Sequence, residues 1–118
     1  MSKTAKGRME GTGNNFNARF NVEGYSKKFT GSFSAGVVYF KSANVTLKYG
    51  SLAELNGAYE ITVSPDGQSS FVGQDSLKIS IQNEGDVKLE ISGKLDNPID
   101  ERQAVTGEGK WFEAKEDD

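Results

Sequence analysis

Apolar and polar residues alternate along most of this chain, and this period of two constrains the fold more than any other feature. Residues 16–22, 77–82 and 87–92 each place an apolar side chain at every second position. Successive side chains of a β-strand point to opposite faces of the sheet, so each segment has one apolar face and one polar face. The sequence therefore predicts an all-β protein whose strands bury one face and expose the other.

Turn-forming residues divide this pattern into short segments. Asn56-Gly57, Ser64–Gly67 and Asn83–Asp86 each contain the Gly, Pro, Asn or Asp residues that tight turns favour. Their spacing predicts about eight or nine short strands, with no long helical pattern between them. Two short helical turns are predicted, at Ser51–Glu54 from its capping-box spacing and at Asn97-Pro98 from an N-cap followed by proline.

Several glycines fall in phase with the apolar side chains of their strands, among them Gly31, Gly93 and Gly109. A glycine that faces inward lets a strand bend sharply and lets another backbone come close. This placement favours a curled sheet. We therefore predict a small, mostly antiparallel β-barrel, with a two-sheet β-sandwich as the alternative fold.

The length of 118 residues predicts one domain over residues 1–118, with frayed tails over residues 1–6 and 113–118. No apolar run follows Met1, and no stretch approaches the roughly 18 apolar residues of a membrane-spanning helix. We therefore expect no signal peptide, no membrane span and a cytoplasmic location.

The composition argues against catalysis, because the chain contains no cysteine and no histidine. These residues supply the thiolate nucleophile, the commonest general base and the commonest transition-metal ligand. Glu23, Glu60 and Glu90 lie out of phase with the apolar residues, so they should project into water beside Lys or Arg of neighbouring strands. The sequence predicts a protein that is not an enzyme and that uses no metal or cofactor.

Charge is distributed unevenly along the chain. Residues 1–59 hold eight Lys/Arg and three Glu, whereas residues 60–118 hold six Lys/Arg and fourteen Asp/Glu. The basic residues of interest are Arg8, Arg19, Lys27, Lys28, Lys41 and Lys48. Single-strand nucleic-acid binders combine such residues with exposed aromatic rings, but here the neighbouring phenylalanines are in the buried phase. Because the acidic second half would also repel phosphate, we predict no nucleic-acid partner. The uneven charge indicates either an ordinary solvated surface or a charged docking face.

The segment Val37–Phe40 is apolar at four successive positions, so it presents apolar side chains on both faces of a strand. A local bulge or a covering helix is one explanation of such a run; the other is an exposed apolar patch, which usually marks a binding surface. We therefore predict a non-enzymatic interaction module that binds a protein partner or associates with itself. The predicted partner face consists of Val38, Tyr39, Phe40, Lys41 and Lys48.

A second hypothesis is a carrier that holds a small hydrophobic ligand inside the barrel, as closed barrels of about eight strands can do. The predicted cavity is lined by large side chains in the buried phase. These are Phe16, Phe20, Phe29, Phe33, Leu47, Tyr49 and Ile79.

Overall fold

A computed structural model describes residues 3–62 and 70–113, which form six β-strands and one short 3₁₀ helix. The helix covers Leu52–Glu54. The strands are β1 (Lys3–Val22), β2 (Tyr25–Tyr49), β3 (Gly57–Ile61), β4 (Phe71–Gln82), β5 (Lys88–Ala104) and β6 (Gly107–Glu113). Within the same ranges no helix has both the length and the apolar character needed to cross a membrane.

The described strands form an antiparallel barrel. Their order is β1-β2-β5-β4-β3-β6, and a further pairing of β2 with β6 closes five of them into a ring. β2 takes part in both ends of this ring, because its first half pairs with β6 and its second half pairs with β5. β1 lies outside the ring and pairs along the length of β2. The predicted all-β, antiparallel barrel is confirmed.

The strands are fewer and longer than the sequence predicts, since β1 has 20 residues and β2 has 25. Both strands continue through irregularities in their pairing, one of which is a β-bulge. Gly11 pairs with Phe40 and Gly13 with Val37, so β2 has one more residue than β1 between these pairs. A bulge bends a strand without ending it, because pairing resumes on both sides.

The predicted helical turn at Ser51–Glu54 is present, and Glu54 Oε1 accepts the backbone N–H groups of Gly50 at 2.7 Å and Ser51 at 3.2 Å. The predicted turn at Asn97-Pro98 is wrong, because these residues belong to β5. The preceding carboxylate of Asp96 accepts the N–H of Ala43 in β2 at 2.9 Å. A cross-strand partner thus replaces the expected local cap. The predicted turn at Ser64–Gly67 lies outside the described residues.

The predicted N-terminal tail is shorter than residues 1–6. Lys3–Lys6 pair with residues 46–49 of β2, and the side chain of Ala5 is buried there. At the other end Glu113 still pairs with Lys27, while residues 114–118 are not described. Strand pairing therefore holds the chain further toward both ends than the sequence pattern indicates.

All six strands contribute to one apolar core, whose larger members include Met9, Phe29, Tyr59, Ile79, Ile91 and Trp111. Gly31 of β2 faces Gly109 of β6, as the glycine pattern predicts. A side chain at Gly31 would overlap the carbonyl oxygen of Glu108, and its Cβ would lie 2.5 Å from the Cα of Gly109. The missing side chains therefore allow close contact where β2 and β6 close the barrel.

Candidate functional site

The predicted partner face divides at the bulge in β2. Val38 and Tyr39 are more than half exposed, whereas Phe40 is 1% exposed and Val37 is also buried. The bulge puts one extra residue between the inward positions of Val37 and Phe40, so two successive side chains point outward. Phe40 packs in the core with its ring centroid 6.1 Å from that of Phe33. Phe40 therefore does not belong to an exposed face.

The two lysines assigned to that face lie in different surroundings. Lys41 pairs with Glu10 across β1 and β2, near the bulge. Lys48 lies about 20 Å further along β2, at roughly 3.3 Å per residue. Its Nζ is 3.4 Å from Oε2 of Glu90. The two lysines therefore do not share one surface, and Val38 and Tyr39 remain as the exposed apolar residues at the bulge.

The predicted cavity lining forms a packed interior. Phe16, Phe20, Phe29, Phe33, Leu47, Tyr49 and Ile79 are all at most 4% exposed. The ring centroid of Phe16 lies 5.6 Å from that of Phe29 and 4.8 Å from that of Phe33, distances typical of aromatic contact. Phe29 in turn contacts Trp111, with 4.8 Å between centroids. These side chains occupy the volume that an internal ligand would need.

Two buried tyrosines have perturbed hydroxyl groups. Burial raises the pKa of Tyr49. The Glu23 carboxylate accepts a hydrogen bond from the Tyr49 hydroxyl at 3.0 Å, and this bond and the charge of Glu23 raise the pKa further. Burial also raises the pKa of Tyr59, as does the nearby charge of Glu54, although a hydrogen bond with Asn83 opposes this. The Tyr59 hydroxyl donates to the backbone carbonyl of Glu54 at 2.7 Å. Both phenols are held as neutral donors that join neighbouring segments.

Several cations that the sequence spreads over the first two strands meet in one concave site, which we call the basic cleft. Its volume is about 240 Å³. It is lined by Arg8, Met9, Glu10, Asn17, Arg19, Lys28, Lys41 and Ser42. The four cations belong to the basic residues that the sequence singles out. Met9, Glu10, Asn17 and Ser42 carry no sequence signal that predicts them as part of this site.

Gly7 allows the N-terminal half of β1 to come close to its C-terminal half at the basic cleft. A side chain at Gly7 would overlap the carbonyl oxygen of Arg19, and its Cβ would lie 2.6 Å from the ring of Phe20. The N-terminal half of β1 therefore rests directly on its C-terminal half. Arg8 is brought to Arg19 by this contact, and pairing with β2 adds Lys28 opposite Arg19.

The charges of the basic cleft are poorly balanced by acidic neighbours. Among the described residues that line it, Glu10 is the one acidic residue. In the part of the chain that the structure describes, no carboxylate lies within 4.0 Å of the charged nitrogens of Arg8, Lys28 or Lys41. A larger cleft at the end of β2 is different, because Lys48 and Lys88 there face Glu54, Asp86 and Glu90. An excess of positive charge thus distinguishes the basic cleft from this larger cleft.

The described residues contain no group of three or more acidic side chains placed to hold a metal ion. The basic cleft offers guanidinium, ammonium and amide donors, which suit recognition of an anion by charge and hydrogen bonding. Comparisons of the chain with protein-family models, with curated proteins and with solved structures found no match.

Proposed function

We propose that this protein is a non-enzymatic interaction module that binds a protein partner, or a second copy of itself, through the bulge at Val38 and Tyr39. One observation carries the proposal. Two adjacent, large apolar side chains at the bulge are each more than half exposed, on a strand whose other large apolar side chains are buried except Tyr25 at its start. Tyrosine is enriched at the energetic centres of protein interfaces, because its ring buries a large area at low entropic cost.

The carrier hypothesis receives less support than the interaction module. A ligand inside the barrel would have to displace the contacting rings of Phe16, Phe29 and Trp111, since these side chains already fill the interior. Displacing them would cost the packing energy of several large side chains.

The proposal is tested by placing a photo-cross-linking amino acid at Tyr39 and, as a matched control, at Tyr25. Both tyrosines are at least half exposed, but Tyr25 lies at the β1–β2 turn, away from the bulge. Cross-linking is carried out with the purified protein over a range of concentrations and in the cells that produce it. A discrete protein adduct from position 39, absent from position 25, supports the module. No adduct at position 39 in either setting overturns it.

A further inference from the structure

We propose that the basic cleft binds a small phosphorylated molecule, with the phosphate held between the two halves of the β1–β2 hairpin. The cleft contains two guanidinium and two ammonium groups, from Arg8, Arg19, Lys28 and Lys41. Guanidinium groups match phosphate oxygens with paired hydrogen bonds, and lysines add compact positive charge. The amide of Asn17 supplies a further neutral donor at the same place.

The arrangement of these cations indicates a ligand rather than a purely structural role. Arg19 and Lys28 are direct cross-strand partners. No carboxylate of the described residues lies within 4.0 Å of the charged nitrogens of Arg8, Lys28 or Lys41, so these three cations are available to an anion. The ion pairs that join Lys3 to Glu23, and Lys48 and Lys78 to Glu90, lie outside the basic cleft.

The size and surroundings of the cleft favour a small ligand over a nucleic-acid strand. A volume of about 240 Å³ has room for one or two phosphate groups and little more. The whole chain carries a net charge of −3, so a long polyanion would meet repulsion beyond the cleft. Glu10 and Glu113 lie at the cleft and at its continuation, where they would oppose an extended phosphate backbone.

A second cleft, which shares Arg8 and Arg19 with the first, provides space for the rest of the ligand. Its volume is about 690 Å³, and its lining includes Asn21 and the half-exposed ring of Tyr25. An aromatic ring can stack on such a side chain, and the Asn21 amide can donate to or accept from a polar ring edge. The combination suits a phosphate ester with an aromatic group, such as a nucleotide.

The test compares two double variants with the same change in net charge. Lys28→Gln with Lys41→Gln removes both ammonium groups from the basic cleft. Lys88→Gln with Lys110→Gln removes two exposed lysines from other strands and is the control. Each protein is titrated by calorimetry with pyrophosphate, adenosine monophosphate and a single-stranded oligothymidylate, at fixed ionic strength. The melting temperature without ligand is recorded to show that each variant is folded.

We expect pyrophosphate and adenosine monophosphate to bind the wild type and the control variant equally. The cleft variant should bind them at least ten-fold more weakly. Equal binding by both variants would place the anion elsewhere and overturn the assignment. Binding of the oligonucleotide without binding of either small phosphate would overturn the small-ligand class, and absence of binding by all three ligands would overturn the site itself. These outcomes do not depend on Tyr39, so they leave the proposed interaction module to its own test.

Discussion

Replacing Gly7 by alanine tests the contact on which the basic cleft depends. The new Cβ would overlap the Arg19 carbonyl oxygen and approach the Phe20 ring to 2.6 Å, where ordinary contacts are 3.4–4 Å. The two halves of β1 would therefore have to separate by roughly 1 Å, and Arg8 would move away from Arg19. Gly36→Ala in β2 is the matched control, because nothing lies within 4 Å of a Cβ at that position.

The expected magnitude follows from two opposing terms. Forcing an extra methyl group into a packed contact costs about 1–3 kcal/mol. Replacing glycine by alanine inside a strand recovers roughly 0.5–1 kcal/mol of backbone entropy, and this gain is common to both variants. We therefore expect Gly36→Ala to leave stability unchanged or to raise it by up to about 1 kcal/mol. Gly7→Ala should be less stable than that control by about 1–3 kcal/mol.

Urea unfolding followed by the fluorescence of Trp111, the single tryptophan, measures this difference, because that side chain is buried in the core. The same two variants are titrated with pyrophosphate. Gly7→Ala should bind it more weakly than Gly36→Ala does, since the arginines move apart. Equal unfolding free energies for the two variants, within about 0.5 kcal/mol, would refute the close approach of the two halves of β1.

Three further predictions concern stability. Ser70→Ala should cost about 1–3 kcal/mol in urea unfolding. The reason is that the buried Ser70 hydroxyl accepts the N–H of Ser80 at 2.9 Å and donates to the Thr62 carbonyl at 2.7 Å; a loss below about 0.5 kcal/mol would contradict this. The pKa of Tyr49 is higher in the folded than in the unfolded protein, so its neutral phenol stabilises the fold at pH values below the unfolded pKa. This contribution is lost as the pH rises through the folded pKa. Wild-type stability should therefore fall more steeply above about pH 10 than that of Tyr49→Phe, measured by unfolding at each pH; parallel curves would contradict the shift. Phe29→Ala should cost about 3–5 kcal/mol in thermal or urea unfolding, because the ring is fully buried; a cost near 1 kcal/mol would indicate a loosely filled interior.

The alternation of apolar and polar residues was sufficient to predict most of the side chains that form the core, although not Phe40. Phe16, Phe20, Ile79 and Leu89 are all buried, as their positions in the period predict. This works because the period of a strand is a local property of the backbone. The barrel itself was also predictable, since inward-facing glycines such as Gly109 are needed where a sheet closes on itself.

The bulges and the strand ends were less accessible to sequence reasoning. The glycine, asparagine and serine residues near Gly13 and Gly36 are typical of turns, yet the strands continue through them. Continuation is decided by the partner strand, which keeps pairing on both sides of the bulge. The same reason accounts for Asn97-Pro98, where Asp96 bonds to β2 and no helix begins.

The sequence by itself determined that this protein has an apolar and a polar face on each strand, and that it lacks histidine and cysteine chemistry. Only the tertiary structure decided that Phe40 is buried while Tyr39 is exposed, because one extra residue in β2 reverses the alternation. Only the tertiary structure brought Arg8 to Arg19 and Lys28 to the same cleft. Which strands meet, and in which register, depends on contacts between residues far apart in the chain, and no local period encodes those contacts.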